Sequence, residues 1–185
     1  PVKMITTGEG GAIATNDKIL DDKVALLRSH GITKDISQFK NESDGDWYYE
    51  QQVLGFNYRL TDMQAALGIS QLKRLDSFVA RRREIVKQYF KELDENMLPY
   101  QHPDTNSSWH LFVIQTKNRK EIYQYLRGEG VITQVHYIPV VNHPHYYQEK
   151  LTNSNAFYQH CLSLPIYTDL TPQQQSKIIT SFKQG

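Results

Sequence analysis

Cysteine is nearly missing from this sequence: Cys161 is the single one among 185 residues. One cysteine excludes an internal disulfide framework and a cysteine-based zinc site, so we expect a reducing, cytoplasmic setting. Net charge is almost absent too, since 21 basic and 20 acidic residues leave a formal charge of +1. Such a chain has no basic field to attract nucleic acid or anionic lipid. No apolar run approaches the ~18–20 residues of a membrane-spanning helix.

What remains is an ordinary globular composition, with 39% hydrophobic residues, 10 glycines and 7 prolines. On the usual scale of ~100–200 residues per domain, the length predicts one large domain or two small ones. The first residue is Pro1 rather than Met, and structure-forming sequence follows at once. We therefore expect these residues to be a piece of a longer polypeptide.

Helical periodicity is the strongest local signal. Asn16-Asp17 is placed to cap a helix from about Lys18 to Ser29. Thr61 is placed to cap another helix, and a second periodic stretch after it extends the helical region to about Glu95. Further helices are predicted over Arg119–Arg127 and, with a proline in its first turn, over Pro172–Phe182.

Strand signals are shorter. Two β-branched runs within Lys3–Thr15 flank a glycine-rich segment and indicate a hairpin or a tight turn. Trp109–Thr116 and Val131–Tyr137 are predicted to be strands, and Asn155–Leu162 a short helix. The second half therefore has the order of a small α/β layer, joined through the long helical region to a different first half.

Lys3 precedes the glycine-rich segment directly. A lysine amine that is partly desolvated, or near another cation, can form a Schiff base with a carbonyl compound. From the local sequence alone, a solvated lysine is the more common alternative.

Gly55-Phe56-Asn57-Tyr58-Arg59 lies just before a predicted helix N-terminus, where free N–H groups favour anions. Asn57 adds an amide donor, and Arg59 a cation that suits phosphate or carboxylate. Equally, Asn57 could cap a turn and Arg59 could pair with Asp62.

Two other patterns have simpler interpretations. His143-Pro144-His145, with His136 seven residues earlier, lacks the spacing of a metal motif, so we expect these histidines to line a loop or pocket. The run Arg81-Arg82-Arg83 is expected to form a solvated helix face, because the neutral overall charge argues against nucleic-acid binding.

Taken together, four segments resemble one family. They are P-V-K-M-I-T-T-G-E-G-G-A-I-A-T-N-D, R-S-H-G, G-F-N-Y-R-L-T-D-M-Q-A-A-L-G-I-S-Q-L and Q-V-H-Y-I-P-V. In this order and spacing they resemble the DegT/StrS-type nucleotide-sugar aminotransferases over nearly the whole chain. Within that family the sequence is most similar to transaminases acting at C4 of UDP-4-keto-6-deoxy-N-acetylhexosamines, including the pseudaminic acid pathway type.

The resemblance implies an α/β fold, the C-terminal portion of a fold type I aminotransferase that depends on pyridoxal 5'-phosphate (PLP). Residues 1–75 would end the large PLP-binding domain, and residues 76–185 would form the small C-terminal domain. An active homodimer with shared sites is implied, as is L-glutamate as amino donor. The acidic partner of the pyridine nitrogen and other PLP contacts would lie outside this sequence, so the enzyme would be incomplete here.

The resemblance also implies roles for single residues. Lys3 would be the catalytic lysine that holds PLP, and Asn57 would reach the PLP phosphate of the neighbouring subunit. Arg59, His136 and Tyr48 would lie beside the nucleotide-sugar substrate. The alternative function is a non-catalytic fragment that serves as a sugar-binding or dimerisation module.

Overall fold

A computed structural model describes residues 3–146 and 151–185 and divides the chain into two compact units, residues 1–72 and 73–185. The first unit contains helices α1 (Lys18–Arg28) and α2 (Asp62–Leu72), with strands β1 (Ile32–Thr33) and β2 (Glu50–Gln51). The second contains helices α3 (Leu75–Glu92), α4 (Arg119–Gly128), α5 (Thr152–His160) and α6 (Pro172–Gln184), with strands β3 (Phe112–Gln115) and β4 (Cys161–Leu164). No helix in the described part of the chain is long and apolar enough to cross a bilayer.

The helices of the first unit begin where the caps predict. The Asp17 carboxylate accepts hydrogen bonds from the N–H groups of Ile19 and Leu20, at 2.9 and 3.3 Å. Thr61 and Gln64 bond each other reciprocally, which satisfies two of the N–H groups that a helix start leaves open.

These helices bury very little. Neither α1 nor α2 contains a buried residue, and no hydrophobic side chain described in the first unit is buried. Ile19, Met63 and Leu72 lie on the surface although their spacing is that of an apolar helix face. Exposed apolar area on this scale is typical of a surface that another element covers.

The second unit has its own core. β3 and β4 pair antiparallel, with Phe112 opposite Leu164 and Gln115 opposite Cys161. The helices around this sheet contribute the other large buried side chains, among them Ile85, Tyr89, Leu126, Ile178 and Phe182. Each such side chain stabilises the fold by about 1.5–3 kcal/mol through the area it removes from water.

Three strand and turn predictions differ from the structure. Residues 3–17 form turns without strands, so the tight turn is present and the hairpin is not. The segment 131–137 is not a strand and pairs only at Gln134, in a single bridge to Ser163. The predicted helix 155–162 lies earlier, at Thr152–His160, and residues 161–164 are strand β4.

The arginine run is not a solvated face, and that prediction was wrong. Arg82 is 7% exposed, and its Nη1 donates to the carbonyl oxygens of Trp109, His110 and Ile166, each at 3.1 Å. Its neighbours also bind main chain: Arg81 donates to the carbonyl of Leu170, and Arg83 to those of Ser107 and Asn106. We call these three side chains the arginine clamp. It ties the loops before β3 and after β4 to helix α3.

Candidate active-site elements and the family of the chain

Lys3 lies in the irregular segment that leads into the glycine-rich turn, and its side chain is exposed. Two threonine hydroxyls stabilise this turn. Thr6 Oγ1 accepts a hydrogen bond from the N–H of Gly8 at 3.0 Å, and Thr7 Oγ1 donates one to the carbonyl of Glu9 at 2.9 Å. The Glu9 carbonyl also accepts from Nε2 of Gln64 at 2.9 Å. The turn after Lys3 is thereby fixed to the first turn of α2.

Asn57 lies in an extended segment that pairs with the end of α1. The N–H of Phe56 donates to the carbonyl of Leu27 at 2.7 Å, and the N–H of Tyr58 to that of Arg28 at 2.9 Å, so that Asn57 and Ser29 face each other in a bridge. The Asn57 side chain is exposed and makes no hydrogen bond with any described residue. A turn-capping role for this side chain is therefore not seen.

Two glycines allow that pairing. Gly31 has φ of +69°, the left-handed region, and a Cβ on it would lie 1.9 Å from the carbonyl oxygen of Val53. A Cβ on Gly55 would lie 2.2 Å from the nitrogen of Gly31. The two motifs R-S-H-G and G-F-N-Y-R therefore pack backbone against backbone, which only residues without side chains permit.

Arg59 lines an open depression of about 360 Å³ together with Ser29, His30, Ile32, Lys34 and Tyr49. Two of these residues, Arg59 and Lys34, are cationic, and no carboxylate among the described residues lines the depression. Within residues 3–146 and 151–185, neither cation forms an ion pair, so the expected alternative of an Arg59–Asp62 pair is not seen. The surface that lines the depression is largely apolar, so Lys34 and Arg59 contribute mainly the hydrocarbon parts of their side chains to it.

The loop between β1 and β2 carries Tyr48. Its ring packs edge-on against Phe39, at 5.1 Å between centroids, whereas the neighbouring Tyr49 lines the depression. The structure thus places Arg59 beside Tyr49, and it places Tyr48 within the loop. The substrate role of Tyr48 stays a prediction.

Buried Glu50 organises this loop, and nothing in its local sequence indicates that. Its carboxylate accepts from the N–H groups of Lys40 and Asn41, at 2.7 and 3.2 Å, and from the side-chain amides of Asn41 and Gln52. These bonds, the one from the Lys40 N–H foremost, hold the pKa of Glu50 below its ordinary value. The carboxylate stays ionised at neutral pH and fixes the middle of the loop.

His136 belongs to the second unit. Its Nδ1 lies 2.8 Å from Oγ of Ser163 on β4. In the described part of the chain, no group of three or more His, Cys, Asp or Glu is placed to hold a metal ion. His136 is thus a half-buried imidazole held against a strand.

Comparison with known proteins assigns this chain to one family. Residues 1–183 match the DegT/DnrJ/EryC1/StrS aminotransferase family, and the chain belongs to that family. Aminotransferases of this family depend on PLP, and the predicted fold class, part of a fold type I aminotransferase, is confirmed.

Individual relatives agree with this assignment. The chain is 36% identical to the Bacillus subtilis spore coat polysaccharide biosynthesis protein SpsC, over 98% of this chain and 50% of that protein. It is 38% identical to a Campylobacter jejuni UDP-4-amino-4,6-dideoxy-N-acetyl-beta-L-altrosamine transaminase, over 92% of this chain and 46% of that one. The structure of Helicobacter pylori PseC, an aminotransferase involved in the biosynthesis of pseudoaminic acid, superposes with a TM-score of 0.85 and 32% identity, over 98% of this chain and 50% of PseC. The chain thus spans about half the length of the relatives it matches.

Proposed function

We propose that this chain forms one half of a PLP-dependent aminotransferase that transfers an amino group, from L-glutamate, to the keto carbon of a nucleotide-linked 4-keto-6-deoxy sugar. The product would serve cell-surface polysaccharide or glycan biosynthesis. Family membership supports the reaction class, and the names of the Campylobacter and Bacillus relatives support the substrate and the pathway. The observation that carries the substrate class is that Lys34 and Arg59, which form no ion pair with any described residue, line one depression.

The donor set of the first unit fits the cofactor. Lys3 offers a primary amine, the group that binds an aldehyde covalently. Asn57 offers N–H donors in the segment that leads into α2, and its side chain forms no bond within the described chain that would compete for a phosphate. When bound, PLP supplies an electron sink for the carbon that gains or loses the amino group.

In the proposed reaction, the residues of this chain would have separate roles. Lys3 Nζ holds the cofactor and afterwards moves a proton to or from the reacting carbon. Asn57 binds the cofactor phosphate from the neighbouring subunit of a homodimer. Arg59, His136 and Tyr48 bind and orient the nucleotide sugar.

The depression supports a more specific role for Lys34. A nucleoside diphosphate sugar carries two negatively charged phosphates, and Lys34 and Arg59 line one depression in which no described carboxylate would neutralise them. We infer that both cations bind the diphosphate. Lys34 was not indicated by the sequence, because an exposed lysine in a polar loop has no local signature.

Neutralising either cation in the full-length holoenzyme should raise KM for a UDP-4-keto-6-deoxy sugar. Lys34→Gln and Arg59→Gln are each expected to raise it about threefold to tenfold, with kcat changed less, because a charged hydrogen bond at a solvated site is lost. The increase should shrink at high salt, which screens the wild-type attraction. Steady-state kinetics at two ionic strengths give the measurement.

Lys23→Gln is the matched control, since Lys23 is an exposed lysine of α1 that does not line the depression. Its KM should equal that of the wild type. Unchanged KM values for both the Lys34 and Arg59 variants would contradict the diphosphate site. Absence of any amination of keto sugars by the wild-type holoenzyme would contradict the proposed function itself.

Subunit complementation tests the role of Asn57. If Asn57 acts across the dimer, mixing a Lys3→Ala enzyme with an Asn57→Ala enzyme gives hybrids in which one of the two sites has neither defect. With free subunit exchange, random pairing makes half of the dimers hybrids, and one of the two sites in each hybrid is intact. About a quarter of all active sites in the mixture should therefore be functional. The assay is run at limiting PLP, where the loss of a phosphate contact has its largest effect.

Mixing either variant with itself is the control and should restore nothing. Exchange is verified separately by mass spectrometry of differently tagged subunits. If exchange is complete and activity stays at the parental level, Asn57 serves the site of its own subunit instead.

A further inference from the structure

Ser163 occupies an unusual place for a polar side chain. It is 4% exposed, in the middle of β4, whose neighbours Leu162 and Leu164 belong to the hydrophobic core. Because side chains alternate along a strand, Ser163 points to the face opposite those leucines. A hydroxyl buried there needs a hydrogen-bond partner, since an unsatisfied one is costly.

That partner is His136, held by two kinds of contact. The side chains meet at 2.8 Å, between Ser163 Oγ and His136 Nδ1. The backbones meet two residues earlier, where Gln134 and Ser163 exchange N–H to carbonyl bonds of 3.2 and 2.8 Å. One strand residue thus fixes both the path of the 134–136 segment and the plane of the imidazole.

We propose that Ser163 is a positioning residue, which orients the ring of His136 toward the sugar; this rests on the proposed role of His136 in the function above. The strand that carries Ser163 is paired with β3 over four residues, so the anchor is rigid. Because a hydroxyl can both donate and accept a hydrogen bond, Ser163 can hold the imidazole at Nδ1 in either tautomer.

The test is a double-mutant cycle in the full-length holoenzyme, with Ser163→Ala, His136→Phe and the double variant. Ser163→Ala is expected to lower kcat/KM for the keto sugar about fivefold to tenfold, the effect of one hydrogen bond lost. His136→Phe, which keeps a ring and removes both nitrogens, should lower it at least as much. The double variant should be no worse than His136→Phe, because the hydroxyl acts through the imidazole.

Ser181→Ala is the matched control: Ser181 is a buried serine on α6 that is not bonded to His136, and kcat/KM should be unchanged. Ser163→Cys keeps the volume but offers only a weak hydrogen-bonding group, so it should reproduce the loss if the alanine variant folds poorly. Ring ¹⁵N shifts of His136, assigned by their absence in His136→Phe, should move in both Ser163 variants.

The outcomes separate the two proposals. If His136→Phe turns over like the wild type, the proposed substrate role of His136 is overturned, and the positioning role with it. If His136→Phe is impaired while the Ser163 variants match the wild type, only the positioning role is overturned. The same conclusion follows if Ser163→Ala costs as much in the His136→Phe background as alone.

Discussion

Replacing Lys3 with alanine in the full-length holoenzyme is expected to lower kcat for sugar amination by about 10²–10⁴-fold, the scale on which a positioned proton-transfer group contributes. Two losses would combine here, since in the proposed function the same Nζ tethers the cofactor and carries the proton. PLP should still bind without the covalent link, because the phosphate contacts persist. Single-turnover kinetics with bound PLP then isolate the chemical step from cofactor loss.

Covalent mapping gives a second readout for Lys3. Borohydride reduction of the wild-type holoenzyme should place the cofactor on the peptide that contains Lys3, and on no lysine of the Lys3→Ala enzyme. Lys23→Ala, in the same unit, should leave both turnover and labelling intact. Near-normal turnover by the Lys3→Ala enzyme would show that another group performs these steps.

The other large expected effect concerns stability: Arg82→Ala should lower the free energy of unfolding by about 2–4 kcal/mol, the range for breaking a buried hydrogen-bond network. Three carbonyl oxygens, of Trp109, His110 and Ile166, lose their shared donor. Arg82 has no carboxylate partner among the described residues, and burial lowers the pKa of its guanidinium. The group nevertheless stays charged, because the ordinary pKa of arginine is so high.

Denaturant titration of the 185-residue chain measures this loss, provided that m stays constant. Arg82→Met separates packing from hydrogen bonding, since methionine fills similar volume without donors; it should recover only the packing part. Arg127→Ala removes an exposed arginine whose side chain, among the described residues, is bonded to Tyr123 Oη alone, and it should change the free energy of unfolding by less than about 0.5 kcal/mol. If Arg82→Met is as stable as the wild type, the carbonyl contacts of the clamp contribute nothing.

Local sequence predicts the helices well, because each one carries its own signal. Asp17 and Thr61 cap α1 and α2 as expected, and Pro172 begins α6 in its first turn. Periodicity and caps depend on residues a few positions apart, so they can be recognised from the sequence alone.

Strands and buried polar contacts were harder, because their partners are remote in sequence. The predicted helix over 155–162 overlaps the first half of β4, whose partner strand β3 lies 46 or more residues away. The arginine clamp binds main-chain carbonyls, which every residue possesses and no motif marks. The family resemblance indicates five candidate site residues: Lys3, Asn57, Arg59, Tyr48 and His136. The three others, Lys34, Glu50 and Ser163, are indicated only by their positions in the folded structure.

The contact between Gly31 and Gly55 has a consequence for how substrate preference can evolve. The two glycines join both ends of the segment 32–54, so the path of Asn57 and Arg59 is set by that junction rather than by the intervening loop. Closing a longer or shorter loop across fixed ends changes the entropy only slightly, by roughly 0.6 kcal/mol for each doubling of length. Insertions and substitutions around Trp47 can therefore reshape the neighbouring surface while the segment that carries Asn57 and Arg59 keeps its geometry. In the proposed function, this would let the preference for a nucleotide sugar change without loss of the chemistry.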